Sequence, residues 1–228
     1  MLMILIALII LAGGAALAWL IFVHAPKQEA ERAQTELGPL RSFCALNKFQ
    51  ELPDPEKHQV WSKIKEFVPR GPLLQGLTSS RETGAELVAG RRLDGVQEYV
   101  ILQKSVRHQA SGTQRYLAGI FVEINCSVSS TLYFLSKSML NTLGSLGEDW
   151  NKIRKQGHYI VYSTQNMAEG LVDQVLSELQ SLEDPLPNVT VDQHGFFINY
   201  TQIGSAPDSS HDYQRLLNIG QALRNILK

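Results

Sequence analysis

The chain opens with an uninterrupted apolar run. Residues 1–23 read MLMILIALIILAGGAALAWLIFV and contain no charged residue. As a helix rising ~1.5 Å per residue, this run would span roughly 35 Å, slightly more than the hydrocarbon core of a bilayer. A soluble helix of this length would keep a polar face. The pattern therefore predicts an N-terminal transmembrane helix, which we bound at residues 1–24.

The same run has an alternative interpretation as a cleaved secretory signal. Ala16-Leu17-Ala18 matches the small-x-small pattern of a cleavage site. However, no Lys or Arg precedes the run, and apolar residues continue through Val23. We therefore favour a retained membrane anchor. Small residues in it would let a second membrane helix approach closely, which predicts a protein partner in the membrane at Gly13, Gly14 and Ala16. The alternative is that these residues lie in a span that faces only lipid.

The flanking charges predict the orientation of the chain. The basic residues nearest to the apolar run all follow it, at Lys27, Arg32, Arg41 and Lys48. Basic flanks tend to stay on the cytoplasmic side of a membrane. We therefore expect a single-pass protein in the membrane with its large domain in the cytoplasm. A periplasmic or otherwise extracytoplasmic domain is the alternative.

Residues 25–52 predict a helical stalk and a helix that leads into the domain. Residues 26–37 are polar and helix-permissive, and Gly38-Pro39 is expected to break that helix. Apolar residues then recur at approximately helical spacing, at Leu40, Phe43, Cys44, Leu46 and Phe49.

Residues 53–228 predict one mixed domain, which begins with a helix and a β-meander. Asp54 is expected to cap a helix with Pro55 in its first turn. The apolar face of that helix comprises Val60, Trp61, Ile64, Phe67 and Val68. From about Glu86 the chain changes to β-branched and aromatic runs, separated by Asp94-Gly95 and by residues 108–112. Because Asp-Gly is a strong hairpin signal, three antiparallel strands are the simplest interpretation.

The second half of the domain predicts further strands and two amphipathic helices. The strands are expected at 131–137, 158–163, 188–193 and 196–203, the last two joined by His194-Gly195. Helices are expected at 166–182, with an Asn166/Glu169 capping box, and after a cap at Ser209 or Ser210. A polar, partly basic segment within 144–157 is assigned no strand. Strands in pairs with helices between them predict an α+β fold.

Charge and cysteine content narrow the function. The chain has 228 residues with 21 Lys+Arg against 22 Asp+Glu, a formal net charge of −1. This balance argues against a nucleic-acid partner, because nucleic-acid-binding domains are usually strongly basic. Two cysteines exclude a disulfide-built mini-domain and a four-cysteine zinc site.

The sequence predicts no catalytic, cofactor-binding or metal-binding residue. The six histidines are well separated and lack H-x-x-x-H spacing, and the chain has no G-x-S-x-G, P-loop or G-x-G-x-x-G motif. Ser62 and Lys65 match S-x-x-K, but the companion motifs are absent. Cys44 is interpreted as a buried small hydrophobe. If the domain is cytoplasmic, Cys44 and Cys126 should both be free thiols.

Two basic clusters are candidates for contact with the lipid bilayer. The denser cluster comprises Lys152, Arg154 and Lys155, and the smaller one is Arg91-Arg92. Each basic residue close to an anionic membrane surface contributes about 1 kcal/mol to binding. The alternative for both clusters is a solvated protein face.

The order of elements, with the segments GHYIVYSTQNMAEGLVDQVLSEL and YQRLLNIGQALRNIL, resembles bacterial single-span membrane-anchored families of unknown function. The resemblance implies a location and a fold and transfers no catalytic residue. We therefore expect a non-enzymatic protein that presents an α+β interaction domain, such as an accessory subunit of a membrane complex. The alternatives are a membrane-anchored enzyme and a ligand- or lipid-sensing domain whose site is not visible in the sequence.

Overall fold

A computed structural model describes residues 37–67, 85–106, 114–137, 150–165, 169–203 and 210–228. The predicted anchor at 1–24, with Gly13, Gly14 and Ala16, lies outside these residues. The chain divides into two compact units, Met1–Pro39 and Leu40–Lys228. Among the helices of the described ranges, none has the length and apolar character that a membrane crossing requires.

The described part of the second unit is built on one antiparallel sheet of nine strands. The strands are β1 (Gln50–Glu51), β2 (Leu87–Leu93), β3 (Val96–Val106), β4 (Gln114–Glu123), β5 (Leu132–Ser136), β6 (Asn151–Gln156), β7 (Tyr159–Ser163), β8 (Asn188–Asp192) and β9 (Gly195–Ile203). The helices are α1 (residues 37–46), α2 (Asp54–Phe67), α3 (Glu169–Gln180) and α4 (Ser210–Leu227). This mixture of helices with an antiparallel sheet confirms the α+β class.

The spatial order of the strands is β1-β2-β3-β4-β9-β8-β5-β7-β6. The predicted meander forms β2, β3 and β4, and its first turn is Asp94-Gly95, with Leu93 paired to Val96. Asp94 and Gly95 have φ angles of 53° and 78°. Two successive positive φ values are the pattern of a type I′ turn, whose twist matches that of the flanking strands. β1 and β6 lie at the two ends of the strand order.

Helices cover both faces of the sheet. Because side chains alternate along a strand, Phe121 and Val122 of β4 point to opposite faces. Phe121 packs with the apolar face of α2, in a core that also contains Trp61 and Ile64. On the other face, Gly220 of α4 lies close to Val122. Helix α1 reaches this second face, since the rings of Phe43 and Tyr213 are 5.7 Å apart.

The first helices differ in detail from the predictions. Gly38 and Pro39 lie within the helical residues of α1, so the helix break predicted there is not found. Leu46 is 82% exposed, whereas Leu40 and Phe43 are buried. At 100° per residue, Leu46 lies about 120° around the helix from Leu40 and therefore off its buried face.

Helix α2 has the predicted apolar face, with Val68 outside the described residues. Its first hydrogen bond runs from Lys57 N–H to the carbonyl of Pro53. Pro53 therefore occupies the cap position, and Asp54 lies in the first turn, contrary to our prediction. There the carboxylate of Asp54 is 3.0 Å from Lys57 Nζ, and this pairing lowers the pKa of Asp54.

The second half confirms the predicted strands and adds one. β5, β7 and the β8–β9 hairpin lie where their patterns place them, and α3 and α4 match the two amphipathic stripes. The cap residues Asn166 and Ser209 lie outside the described residues. The additional strand is β6, which occupies part of the 144–157 segment and pairs with β7. Its sequence NKIRKQ has one apolar residue and therefore lacks the alternation that marks a half-buried strand.

Candidate functional site

A buried ion pair lies behind the smaller basic cluster. The two-residue turn sets Arg91 of β2 directly opposite Glu98 of β3. Arg91 Nε donates to Glu98 Oε2 at 2.7 Å, and Arg91 Nη2 is also 2.7 Å from that oxygen. The Glu98 side chain is only 2% exposed and that of Arg91 11%. Arg91 is therefore neither a solvated nor a lipid-facing residue, which corrects that part of the prediction.

A second arginine ties the C-terminal helix to the same carboxylate. Arg224 Nη1 of α4 is 3.7 Å from Glu98 Oε1, and its Nη2 donates to Asp94 Oδ2 at 3.2 Å. Buried charges need partners, because removal from water costs several kcal/mol per ion. Glu98 provides that compensation for two arginines. The sequence could have suggested the Arg91–Glu98 register from the turn, but Arg224 comes from a distant part of the chain.

The outer side of Arg91 is held by the turn after α1. Arg91 Nη1 donates to the carbonyl of Asn47 at 2.8 Å, and its guanidinium carbon lies 4.3 Å from the ring centroid of Phe49. A guanidinium over an aromatic face adds a cation–π attraction. These contacts fix the position of the turn against β2.

The turn itself is a Schellman motif with lysine at its left-handed position. Phe49 N–H donates to the Cys44 carbonyl at 2.8 Å, and Lys48 N–H donates to the Ala45 carbonyl at 3.2 Å. Glycine is usual at the position of Lys48 in this motif. Lys48 instead has a φ of 61°. For an L-residue with a side chain, this conformation costs roughly 1–2 kcal/mol.

The turn and the outer edge of β2 enclose a groove of 430 Å³, which we call the β2-edge groove. None of the residues that line the groove is acidic. Its polar lining consists of three cationic side chains and three amide side chains: Lys48, Arg91, Arg92, Asn47, Gln50 and Gln97. Since Glu98 balances the charge of Arg91, the exposed side chains of Lys48 and Arg92 give the groove an excess of positive charge.

Strand β1 covers only part of the β2 edge. It pairs with Ala89 and Gly90, whereas β3 pairs with all seven residues of β2. Leu52 N–H donates to the Val88 carbonyl at 2.9 Å, so the main-chain groups of Val88 point towards β1. By the two-residue alternation of a strand, those of Arg92 point the same way. The N–H of Arg92 therefore faces the groove past the end of β1.

The denser basic cluster lies on β6 and is divided between two faces. Lys152 and Lys155 pair with Tyr162 and Ile160 of β7, which share one face, whereas Arg154 pairs with Val161 on the other. A bulge between Lys152 and Arg154 separates them further. Arg154 forms an ion pair with Asp173 of α3. The structure thus places two lysines together and engages the arginine with a helix.

Two further clefts of the described residues contain polar groups. One, of 230 Å³, is lined by Ser129, Ser130, Thr131 and Asp192, and burial raises the pKa of Asp192. The other, of 420 Å³, contains Glu123 and His194. Glu123 is bound by Lys63 Nζ at 2.7 Å, which fixes its carboxylate in an ion pair.

Within the described ranges, the remaining candidate groups lie apart. They include no cluster of three or more His, Cys, Asp or Glu suited to a metal ion. His58, His158, His194 and His211 are exposed, and so is Ser62 of the S-x-x-K match. Cys44 is buried, as predicted, and so is Cys126; both are free thiols, and burial raises the pKa of each to about 12.

Comparison with known proteins adds little to this picture. No protein-family model matches the chain, and no curated protein matches it. A solved structure described as the crystal structure of the mycobacterial trehalose monomycolate transport factor A, TtfA, is similar at 13% identity and a TM-score of 0.43. The similarity covers 76% of this chain and 93% of that one. A likeness at this level says nothing of what this chain binds or does.

Proposed function

We propose that this protein is a single-pass membrane protein that presents its α+β domain to a protein partner in the same membrane, as an accessory subunit does. The observation that carries the proposal is the apolar run of residues 1–23. All charged residues of the chain lie after this run. The run has the length of a membrane helix, and its apolar residues continue past Ala16-Leu17-Ala18 to Val23.

The state of several described ionisable groups fits an interaction domain, and Asp192, whose pKa burial raises, is the exception. Catalytic acids and bases need a pKa near the working pH, and they must lie within hydrogen-bond reach of the substrate. The described carboxylates of Glu98, Glu123 and Asp173 are instead held in ion pairs. Burial raises the pKa of the Tyr99 and Tyr200 phenols to about 12, further from physiological pH than the usual value of a phenol.

Retention of the anchor is tested by intact-mass measurement of the full chain extracted from membranes. We expect a mass that includes residues 1–23 and resistance of the protein to alkaline carbonate extraction. A mature N-terminus at Trp19, after Ala16-Leu17-Ala18, would show that the run is a cleaved signal and would overturn the proposal.

The partner is tested through the small-residue face of the anchor. In a helix, successive residues are 100° apart, so Leu8 would lie about 120° or more around the helix from both Gly13 and Gly14. We expect Gly13→Leu/Gly14→Leu to dissociate a complex seen by native electrophoresis in mild detergent, whereas the control Leu8→Phe leaves it intact. A complex that survives both changes would argue against helix contact at this face.

The cytoplasmic orientation is tested by thiol labelling. The thiolate is the reactive form, and burial raises the pKa of both thiols to about 12, so little thiolate forms at neutral pH in the folded protein. Labelling of the folded protein is therefore slow in any compartment, and the test requires denaturation. We expect Cys44 and Cys126 both to label after denaturation without reductant. Labelling only after reductant is added would favour the extracytoplasmic alternative.

A further inference from the structure

The charge of the β2-edge groove is unbalanced. Arg91 is neutralised by Glu98 on its inner side, but the ammonium of Lys48 and the guanidinium of Arg92 have no acidic residue beside them in the groove lining. Two exposed cations at one concave surface attract an anion, and charge-assisted hydrogen bonds are roughly twice as strong as neutral ones.

The donors of the groove favour an anion with several oxygens. Besides the two cations, its lining offers the side-chain amides of Gln50 and Gln97, whereas the amide nitrogen of Asn47 donates to the Phe43 carbonyl. The N–H of Arg92 faces the same space, past the end of β1. A phosphate group presents three or more acceptor oxygens and can engage cations, amides and a main-chain N–H together, whereas a carboxylate presents two.

The backbone at Lys48 is a second, independent observation. Glycine would satisfy the Schellman motif without strain, yet the position holds a lysine at a φ of 61° whose side chain lines the groove. Residues held in costly backbone conformations cluster at ligand-binding positions. The structure thus tolerates strain at the residue that brings a cation to the groove.

The rim of the groove also carries exposed apolar surface. Leu93 lines the groove and is 37% exposed. An apolar rim beside cations suits a phosphate borne by a lipid, since acyl or glycerol carbons can contact it. Free phosphate would use only the cations and amides.

We propose that the β2-edge groove is a binding site for a phosphate group, carried by an anionic lipid headgroup or by a small soluble molecule. The cationic side chains of Lys48 and Arg92 balance the phosphate charge, and the amides and the Arg92 N–H donate to its oxygens. Arg91 does not contact the ligand but holds the turn at Asn47 in place. The site does not depend on the membrane anchor, so the two proposals fail separately.

The test is hydrogen–deuterium exchange of the full chain in neutral detergent micelles. One arm adds inorganic phosphate, a second dopes the micelles with phosphatidylglycerol, and a third adds chloride at equal ionic strength. We expect slower exchange in peptides that cover residues 47–52 and 88–97 in at least one phosphate arm and not with chloride. Protection in both phosphate arms would show that a phosphate group alone is sufficient for binding. Protection by phosphatidylglycerol alone would show that the ligand is a lipid headgroup.

The variants separate binding from folding. Lys48→Gly/Arg92→Gln should raise the ligand concentration for half-maximal protection about tenfold or more. Lys48→Gly alone should weaken protection while raising the unfolding temperature, because it relieves the strain. The matched control Lys152→Gln/Lys155→Gln removes two charges from β6 and should leave protection unchanged. If the double variant does not fold, Gln50→Glu, which places a carboxylate in the groove, should abolish protection.

Three results would overturn the proposal. The first is the absence of protection in both phosphate arms. The second is an equal loss of protection in the β6 control, which would mean that net charge alone attracts the anion. The third is protection by a short acidic peptide and by neither phosphate probe, which would make the groove a protein-docking site. Loss of the anchor in the intact-mass measurement would leave the inorganic phosphate arm unaffected.

Discussion

Two hairpins of the sheet carry the two basic clusters of the sequence, and they use them differently. In the β2–β3 hairpin, Arg91 faces a carboxylate across the strands and is buried with it. In the β6–β7 hairpin, the strand opposite the cations is apolar, and Lys152 and Lys155 remain exposed. The difference follows from what lies at the paired register position, which a local count of basic residues does not reveal.

The two arginines of these hairpins illustrate the consequence. Arg91 has a partner that is 2% exposed, whereas the partner of Arg154, Asp173, is 50% exposed. Water screens the second pair and can solvate either charge when its partner is lost, whereas the carboxylate of the first pair is almost completely buried. The β2–β3 hairpin should therefore depend on its ion pair for stability, and the β6–β7 hairpin should not.

The largest expected effect is that of Glu98→Gln. It leaves the guanidinium groups of Arg91 and Arg224 without their buried counter-charge, and breaking such a pair costs about 3–5 kcal/mol. We expect this loss in the free energy of unfolding, measured by urea denaturation with tryptophan fluorescence in neutral detergent. The matched control is Asp173→Asn, which removes a carboxylate from the exposed pair of Arg154. If both changes cost the same, the two hairpins do not differ in the way we describe.

A smaller effect is expected at the glycines of the two turns. Gly95 and Gly157 have φ angles of 78° and 55°, so alanine at either position should cost roughly 1–2 kcal/mol. A Cβ at Gly95 would have no atom within 4 Å, whereas one at Gly157 would lie 3.3 Å from the Gln180 side chain. We expect Gly157→Ala to cost slightly more in the same urea measurement. A larger cost for Gly95→Ala would show that its turn also supports the Arg224–Asp94 contact.

The two hairpins also show which parts of the fold can be predicted from the sequence. Asp94-Gly95 predicts its turn from local chemistry, and the register then places Arg91 opposite Glu98. Strand β6 escaped prediction because its polar residues are satisfied by an exposed position at the end of the sheet rather than by a core.

The β2-edge groove depends on contacts between distant segments, which no local pattern contains. Asn47 approaches Arg91 from another part of the chain, and Arg224 joins the network from the last helix. The left-handed backbone at Lys48 is equally invisible in the sequence, because lysine is not a residue that indicates a positive φ.

The smallest expected effect is the coupling between Arg154 and Asp173. A double-mutant cycle of Arg154→Ala and Asp173→Ala should give a coupling energy below ~1 kcal/mol, because both side chains are partly exposed and water screens their attraction. The coupling should shrink further in high salt, where the Debye length falls to about 3 Å at 1 M. A salt-independent coupling of several kcal/mol would place this pair in the same class as Arg91 and Glu98. In that case α3 would depend on β6 as strongly as α4 depends on the β2–β3 hairpin.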